Sequence, residues 1–502
     1  MPTVTIDAKQ YEAQAGETII RVAERNGIDI PSYCWHPALS VAANCRMCLV
    51  EVEKQPKLQP ACQWAIADGM VVHTRSPKVL EARRAVMEFL LLNHPVDCPI
   101  CDQAGECKLQ DYWYEHDGKA SRLVGEKVHK PKAERLGPLV VYDAERCIRC
   151  TRCVRFCTEI AKDPVLAVGN RGNHAEIILD QGRKLDHAYS MMTAHICPVG
   201  ALTTTDFRFQ ARVWMLESTP TICPGCATGC NAWIDQTRGV AKRMRPRDNP
   251  EVNDFWMCDD GCLTYKRVEE DRVLCAAVGR GAARKETSVA AALTEAARAI
   301  GQVPAAVVAA VLGSEHTSED NFVLVKLARD LLQKGTGALY LTGRPPGEAD
   351  DLLRHADKNP NTVGAVQAAA PSTLRGFEDL LNDADAGSVK AAIVLGAHAP
   401  VPEAELAPLG KLDVLVVLCA NRGPLSELAT HVLPAASWAE VSGTFVNAKG
   451  QRQRLRPAAP PRGDSLPAWD LLGRLARKMD LALEYKTLGE VERAATPAQV
   501  TA

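Results

Sequence analysis

No excess of charge of either sign marks this 502-residue chain, in which 59 Lys and Arg face 61 Asp and Glu for a formal net charge of -2. Without a long Lys/Arg run, polyanion binding has no electrostatic footprint, and no nucleic-acid partner is expected. Long apolar runs are missing too. The longest, such as Ala305–Leu312 and Val414–Cys419, fall far short of the ~20 residues that span a bilayer. Met1–Gln10 alternates apolar and polar residues and lacks the basic, then apolar, then small-residue order of an export signal, so a cytoplasmic chain is expected. There is no fixed-period repeat. Cysteine all but vanishes from the C-terminal part: of 19 cysteines, only Cys419 follows Cys275.

What is present is a set of tightly spaced cysteines in a long chain. A disulfide framework suits a short secreted protein, whereas thiols of a chain without an export signal stay reduced, so this spacing points to metal. The length allows about three to five domains, each able to bury a core. Met1–Asp7 and Gln10–Glu12 read as strands around a turn, followed by a helix over Thr18–Asn26 that Gly27 ends. Val50–Val52 and Met70–Val72 extend this to a small mixed sheet with long loops, a ferredoxin-like β-grasp pattern. Ser76-Pro77 opens a helix on which Val79, Ala82, Val86 and Phe89 recur at helical spacing, until Asn93-His94-Pro95 stops it. Lys127–Arg135 reads as a linker or surface loop before the strand Leu139–Tyr142. A Cys-rich stretch, Glu217–Cys275, precedes β-branched runs (Val307–Leu312, Ala391–Leu395, Val414–Leu418) that alternate with helical patterns such as Asn321–Leu332, as in parallel α/β folds. Arg493–Ala502 reads as a loose tail.

The cysteines fall into four groups. Cys34, Cys45, Cys48 and Cys62 are spaced C-x10-C-x2-C-x13-C inside the β-grasp pattern, and four thiolates there suit a [2Fe–2S] cluster, with structural zinc as the competitor. The second group, Cys98, Cys101 and Cys107, has three cysteines close together and needs a further ligand; His94 is the nearest imidazole. In the third, Cys147-Ile-Arg-Cys150-Thr-Arg-Cys153 is a [4Fe–4S] loop, since three thiolates can cap three irons of a cube and leave one for a distant ligand. That ligand is Cys157 or Cys197, and the Cys-Pro pair of two-cluster ferredoxins favours Cys197. The fourth group, Cys223-Pro-Gly-Cys226-Ala-Thr-Gly-Cys230, is completed by Cys258 or Cys262, as a cube or as a zinc ribbon.

Taken in this order, the groups resemble those of the G-subunit family of bacterial NADH:quinone oxidoreductase, respiratory complex I. The resemblance covers about residues 1–275 and continues more loosely to His431–Gln453, which is similar to that family's molybdopterin-oxidoreductase-like region. It implies one [2Fe–2S] cluster on Cys34, Cys45, Cys48 and Cys62, and three [4Fe–4S] clusters. Their ligands would be His94, Cys98, Cys101 and Cys107; Cys147, Cys150, Cys153 and Cys197; and Cys223, Cys226, Cys230 and Cys258. Cys157, Cys262, Cys275 and Cys419 are left over. The implied fold is a multidomain α+β and α/β chain: a β-grasp domain (1–75), a domain with one His and three Cys ligands (76–138), a ferredoxin-like domain (139–216), the fourth cluster (217–280) and a shortened α/β scaffold (281–502).

The implied function is a wire, since iron–sulfur clusters exchange single electrons. Electrons would come from an NADH-binding flavin (FMN) subunit and leave through other iron–sulfur subunits towards quinone. The chain would sit peripherally, on the cytoplasmic side of the bacterial inner membrane, meeting the membrane arm only indirectly. No catalytic residue and no NADH or quinone site is expected on it. Only about 227 residues follow Cys275, which argues against a molybdenum cofactor. Lys334–Gly343 has the wrong spacing for a dinucleotide fingerprint, and Gly313-Ser314 reads as a strand-to-helix turn rather than a phosphate cradle. An electron-transfer subunit of an NAD-linked hydrogenase or formate dehydrogenase shares the first three groups; the fourth group and Glu440–Gln453 favour complex I. A zinc-stabilised scaffold is a more distant reading.

Overall fold

Alternation along Thr3–Ile6 (β1) turns Val4 and Ile6 to one side, and both are buried there with Ile19, Ile20, Val22 and Ala23 of the short helix Ile19–Arg25 (α1). β1 pairs antiparallel with Lys9–Glu12 (β2) and parallel with Met70–His73, the last strand of the sheet (β5). Leu49–Val52 (β3) and Gln59–Pro60 (β4) complete the spatial order β2-β1-β5-β3-β4. This is the mixed sheet expected of a β-grasp domain. The computed structural model describes residues 1–332, 338–483 and 485–495; the readings that fall on 334–337 and 496–502 lie outside these. The chain divides into two units, 1–216 and 217–502.

Ser76 caps the next helix, Pro77–Leu91 (α2), its hydroxyl accepting from the Val79 amide at 3.4 Å. The face α2 buries is not the one its apolar spacing suggests. Val79, Arg83 and Met87 point inward, while Phe89 is 75 % exposed. The reason is polar: the Arg83 guanidinium donates to the Leu49 carbonyl of β3, and Met87 lies under Tyr33, whose hydroxyl meets its sulfur at 3.1 Å. Lys108–His116 (α3) packs on α2 and brings Tyr112 edge-on to Tyr33, with ring centroids 5.3 Å apart. The stretch expected as a linker is tied down. Glu134–Arg135 pairs with the strand Val140–Tyr142, and the Lys127 ammonium caps α2 by donating to the carbonyls of Leu91 and Leu92, both at 2.9 Å.

The second unit opens with three antiparallel strands, Glu217–Ile222, Asn231–Thr237 and Val240–Pro246. Its main body is an eight-stranded sheet. Six neighbouring strands run parallel, in the spatial order His431–Pro434, Val414–Cys419, Ala391–Leu395, Val308–Gly313, Leu339–Thr342 and Leu374–Arg375. Two antiparallel strands, Ala276–Val278 and Lys285–Thr287, extend the edge beside His431–Pro434. The apolar runs read from the sequence are its fully buried central strands, as parallel sheets covered on both faces require. Chain order reverses direction between Val308–Gly313 and Ala391–Leu395, the doubly wound arrangement. At this point Gly313 donates its amide to Asn321 Oδ1 at 2.9 Å and Ser314 donates to Thr342 O at 3.0 Å, so the Gly313-Ser314 turn satisfies its own backbone.

The second unit also holds a buried bidentate pair. Arg272 Nη1 and Nη2 meet the Glu440 carboxylate at 2.8 and 2.7 Å, and Glu440 also accepts from the Ser437 amide at 2.7 Å. Removing one partner leaves an uncompensated buried charge. Glu440→Ala is therefore expected to destabilise the second unit by about 3–5 kcal/mol, read as a lower urea midpoint at unchanged slope.

Candidate metal centres

The first cysteine group lies on the loop that links α1 to β3 and on the turn after β4, which the Ala61 amide ties to the Cys48 carbonyl at 3.0 Å. Ala43 and Arg46 adopt positive φ (49° and 59°), which turns successive amides inward as in an anion nest. The structure brings all four sulfurs together. Hydrogen bonds among them pull the Cys34 and Cys48 thiols down and push Cys45 and Cys62 up, and the amides of Asn44 and Cys45 also point at Cys34.

The second group straddles the end of one helix and the start of another. His94 follows the C-terminus of α2, Cys98 and Cys101 sit on the tight turn after it, and Cys107 is the N-cap of α3. All four line one cavity of about 680 Å³, together with Leu109, Trp113 and Gly200. Burial pushes the His94 imidazole down to about 4, so it is neutral with a lone pair to offer, and pushes the Cys107 thiol up to about 11. Beside it Asp97 holds Arg146 at 2.6 Å and Lys132 at 3.1 Å.

The third group sits on the loop entering Arg152–Glu159 (α4). Arg149 and Thr151 take positive φ (56° and 61°), and the Arg149 amide points at Cys147 Sγ at 3.4 Å. Cys147, Cys150, Cys153 and Cys197 line a common cavity with Ile177, Val199 and Leu202. Burial and their mutual repulsion raise the thiols, Cys150 to about 12 and Cys197 to about 11. Cys157 lies elsewhere on α4, with its sulfur 3.6 Å from His187 Nε2.

The fourth group belongs to the second unit. Cys223 and Cys230 close a hairpin loop, with the Cys223 amide on the Cys230 carbonyl at 2.8 Å, and Gly229 turns at φ 63°. Cys258 caps the short helix Asp259–Leu263, its sulfur accepting from the Gly261 amide at 3.3 Å. Burial raises the Cys230 thiol, and Cys223, Cys226 and Cys258 push it up further. Cys262 is buried one turn further along the helix. The loop is held by the stretch that the sequence singled out. Gln453 donates to Gly229 O at 2.8 Å, and the Ala448 amide donates to Ala227 O at 2.7 Å.

Among the described residues, no group of three or more His, Cys, Asp or Glu side chains is arranged to hold a single metal ion. What bears on a larger, anionic group is the charge buried near the thiols. Arg152 is buried with its Nε–H lacking any acceptor, and among the described residues no carboxylate pairs with it. A lone buried cation is costly unless an anion sits beside it. The thiols that act on its charge are Cys150, Cys197 and Cys34. Thiolates bound to iron and sulfide would supply negative charge beside it, so the donor set fits iron–sulfur clusters. Sequence reasoning missed Arg152, Arg155 and Gly200; the signal was the arginine recurring every third residue at 149, 152 and 155, inside the cysteine loop itself.

Four family models match in sequence order: a 2Fe-2S iron-sulfur cluster binding domain (1–77), the NADH-ubiquinone oxidoreductase-G iron-sulfur binding region (83–122), the ferredoxin-like domain of NADH-quinone oxidoreductase subunit 3 (137–203) and molybdopterin oxidoreductase (375–478). The NADH-quinone oxidoreductase G subunit of Rickettsia felis is 36 % identical over 408 residues, 79 % of this chain and 60 % of the relative. The chain belongs to the NADH-quinone oxidoreductase G-subunit family. The G subunit of Streptomyces coelicolor is 37 % identical over 357 residues, 70 % of this chain and 42 % of its own. The mitochondrial 78 kDa subunit of Neurospora crassa NADH-ubiquinone oxidoreductase is 44 % identical over 299 residues, 59 % of this chain and 40 % of its own. The chain thus spans about half the length of these relatives. Its 2Fe-2S and 4Fe-4S binding domains are those the family models describe.

Gly200 shows how closely neighbouring parts of the first unit fit. A Cβ there would fall well inside contact distance of Cys101 Sγ and 3.1 Å from Gln103 Cβ. Gly200→Ala is expected to cost about 1–3 kcal/mol through overpacking. The cost of Cys101→Ala should be smaller in that background than alone, as a double-mutant cycle in urea would show.

Proposed function

We propose that this chain is the iron–sulfur electron-transfer subunit of the NADH dehydrogenase arm of complex I. One [2Fe–2S] cluster would be held by Cys34, Cys45, Cys48 and Cys62. Three [4Fe–4S] clusters would be held by His94, Cys98, Cys101 and Cys107; by Cys147, Cys150, Cys153 and Cys197; and by Cys223, Cys226, Cys230 and Cys258. The observation that carries the reading is the buried Arg152 among the thiols of two of these groups: among the described residues no carboxylate forms an ion pair with it, Glu24 acts on it only through space, and its Nε–H has no acceptor, so an anion bound there would balance its charge. The cavity shared by Cys147, Cys150, Cys153 and Cys197 supports Cys197 over Cys157 as the fourth ligand. The Cys258 N-cap supports Cys258 over Cys262.

Bound clusters supply single-electron exchange, and the chain's task is to hold, bury and tune them. The backbone amides directed at Cys34, Cys147 and Cys258 stabilise charge on those sulfurs. The neutral His94 imidazole would leave its cluster one negative charge lighter than an all-thiolate one, favouring reduction. Electrons would arrive from a flavin subunit that takes NADH and leave through other iron–sulfur subunits towards quinone. The chain would be peripheral, on the cytoplasmic face of the membrane and linked to the membrane arm through its partners; among the described residues no helix is long and apolar enough to cross a membrane. The second unit would act as a scaffold without molybdenum cofactor.

Anaerobically purified protein is expected to contain iron and acid-labile sulfide in proportion to its clusters; near-zero sulfide with bound zinc would remove the wire. His94→Cys is expected to keep its cluster and lower that centre's potential in an EPR-monitored titration. An unchanged set of spectra and potentials would take His94 off the ligand set. Native purification with a flavoprotein and membrane subunits supports complex I, whereas a nickel-bearing companion would assign the chain to a hydrogenase.

A further inference from the structure

The helix α4 carries two arginines one turn apart, and each reaches two different cysteine loops. Arg152 donates from Nη2 to the carbonyl of Trp35, next to Cys34, and from Nη1 at 3.2 Å to that of Ile196, next to Cys197. Arg155 donates from Nη2 to the carbonyl of Cys34 itself at 2.6 Å and to that of Cys150 at 3.3 Å. Its Nη1 reaches Ser40 O, and Glu159 on the same helix accepts from the Ser40 amide at 2.8 Å. Asn44 adds a further link, its amide donating to Arg149 O at 3.2 Å. The loop of the first group and the loop of the third are thus joined by side chains of one short helix.

The two cations have an electrostatic peculiarity in common. Among the described residues neither guanidinium is paired with a carboxylate; their acceptors are carbonyls and, for Arg155 Nε, the Thr151 hydroxyl at 3.4 Å. Arg152 is buried and Arg155 half-buried, and guanidinium groups that meet carbonyls rather than carboxylates leave their positive charge uncancelled for whatever lies beside them. They make sense where negative charge grows nearby. Reduction adds one electron to a centre, and a fixed cation within a few ångströms favours the more negative form. Arginine suits this use because it stays protonated and its fork spans two acceptors.

We propose that Arg152 and Arg155 form a shared clamp for the first and third centres: positioning residues that hold the two ligand loops in fixed register and raise the reduction potentials of both. The inference rests on the iron–sulfur reading above and goes beyond it by naming the residues that couple two of the sites. It also sets these two apart from the His94 centre, none of whose four candidate ligands receives a hydrogen bond from either arginine.

The test is an EPR-monitored redox titration of the intact complex carrying Arg155→Gln or Arg155→Lys, with iron and sulfide measured in each preparation. Arg155→Gln is expected to lower the midpoints of the first and third centres together and to leave the His94 centre where it is in the wild type. Arg155→Lys, which keeps the charge, is expected to hold both midpoints near wild type. A fully loaded glutamine variant with both midpoints unmoved, or with only one moved, overturns the clamp. If the glutamine variant loses a centre, the lysine variant decides. Restored loading with near-native potentials supports the proposal, and equal loss overturns its electrostatic part. Wild-type protein without iron and sulfide would sink the iron–sulfur reading itself, an outcome separable from failure of the clamp.

Discussion

A buried positive charge, Arg152, with no carboxylate in an ion pair with it among the described residues, is the constraint on which the first unit depends. Taking a guanidinium out of water costs several kcal/mol even after relaxation, so Arg152 is tolerable only where compensating negative charge is available. The surroundings are organised for such charge. Non-glycine residues at positive φ turn amides towards the sulfurs, cysteines converge in groups, and carbonyls next to those cysteines are tied down by arginines. Each device would be a liability around an empty apolar core. Together they suit the 2Fe-2S and 4Fe-4S binding domains that the family models describe in this unit.

The second unit solves a different problem with ordinary means. Its doubly wound sheet buries apolar strands on both faces, and the stretch after it bends back to brace the hairpin loop that carries Cys223, Cys226 and Cys230. Gln453 is a case in point: its amide joins the loop carbonyl of Gly229 on one side and the Asn231 side chain, at 2.5 Å, on the other. Bracing the loop from the two-stranded hairpin Gly443–Val446 and Arg452–Leu455, rather than from its own short turns alone, holds its three sulfurs in place.

Much of the fold was legible because its signals are local. Periodicity gave β1, β2 and α1 in the right order, Ser76-Pro77 marked the start of α2, and unbroken β-branched runs marked the central strands of the parallel sheet. The inward face of α2 was not legible. Apolar spacing pointed to Val79, Ala82, Val86 and Phe89, but an arginine occupies the inner stripe because a carbonyl of β3, distant in sequence, accepts from it. A hydrophobicity pattern cannot register a partner that exists only after the sheet has formed.

The sequence by itself determined which side chains can bind metal and how many lie on each loop, because ligand spacing is a property of a few consecutive residues. It also determined that His94 stands beside three cysteines. Only the tertiary structure decided that Cys197 shares a cavity with Cys147, Cys150 and Cys153 while Cys157 turns to His187, and that Gly200 leaves room for the Cys101 sulfur. It alone showed two arginines of one helix reaching loops more than a hundred residues apart. Those choices depend on which segments meet in space, and burial then decides which charges lie close to the cysteines.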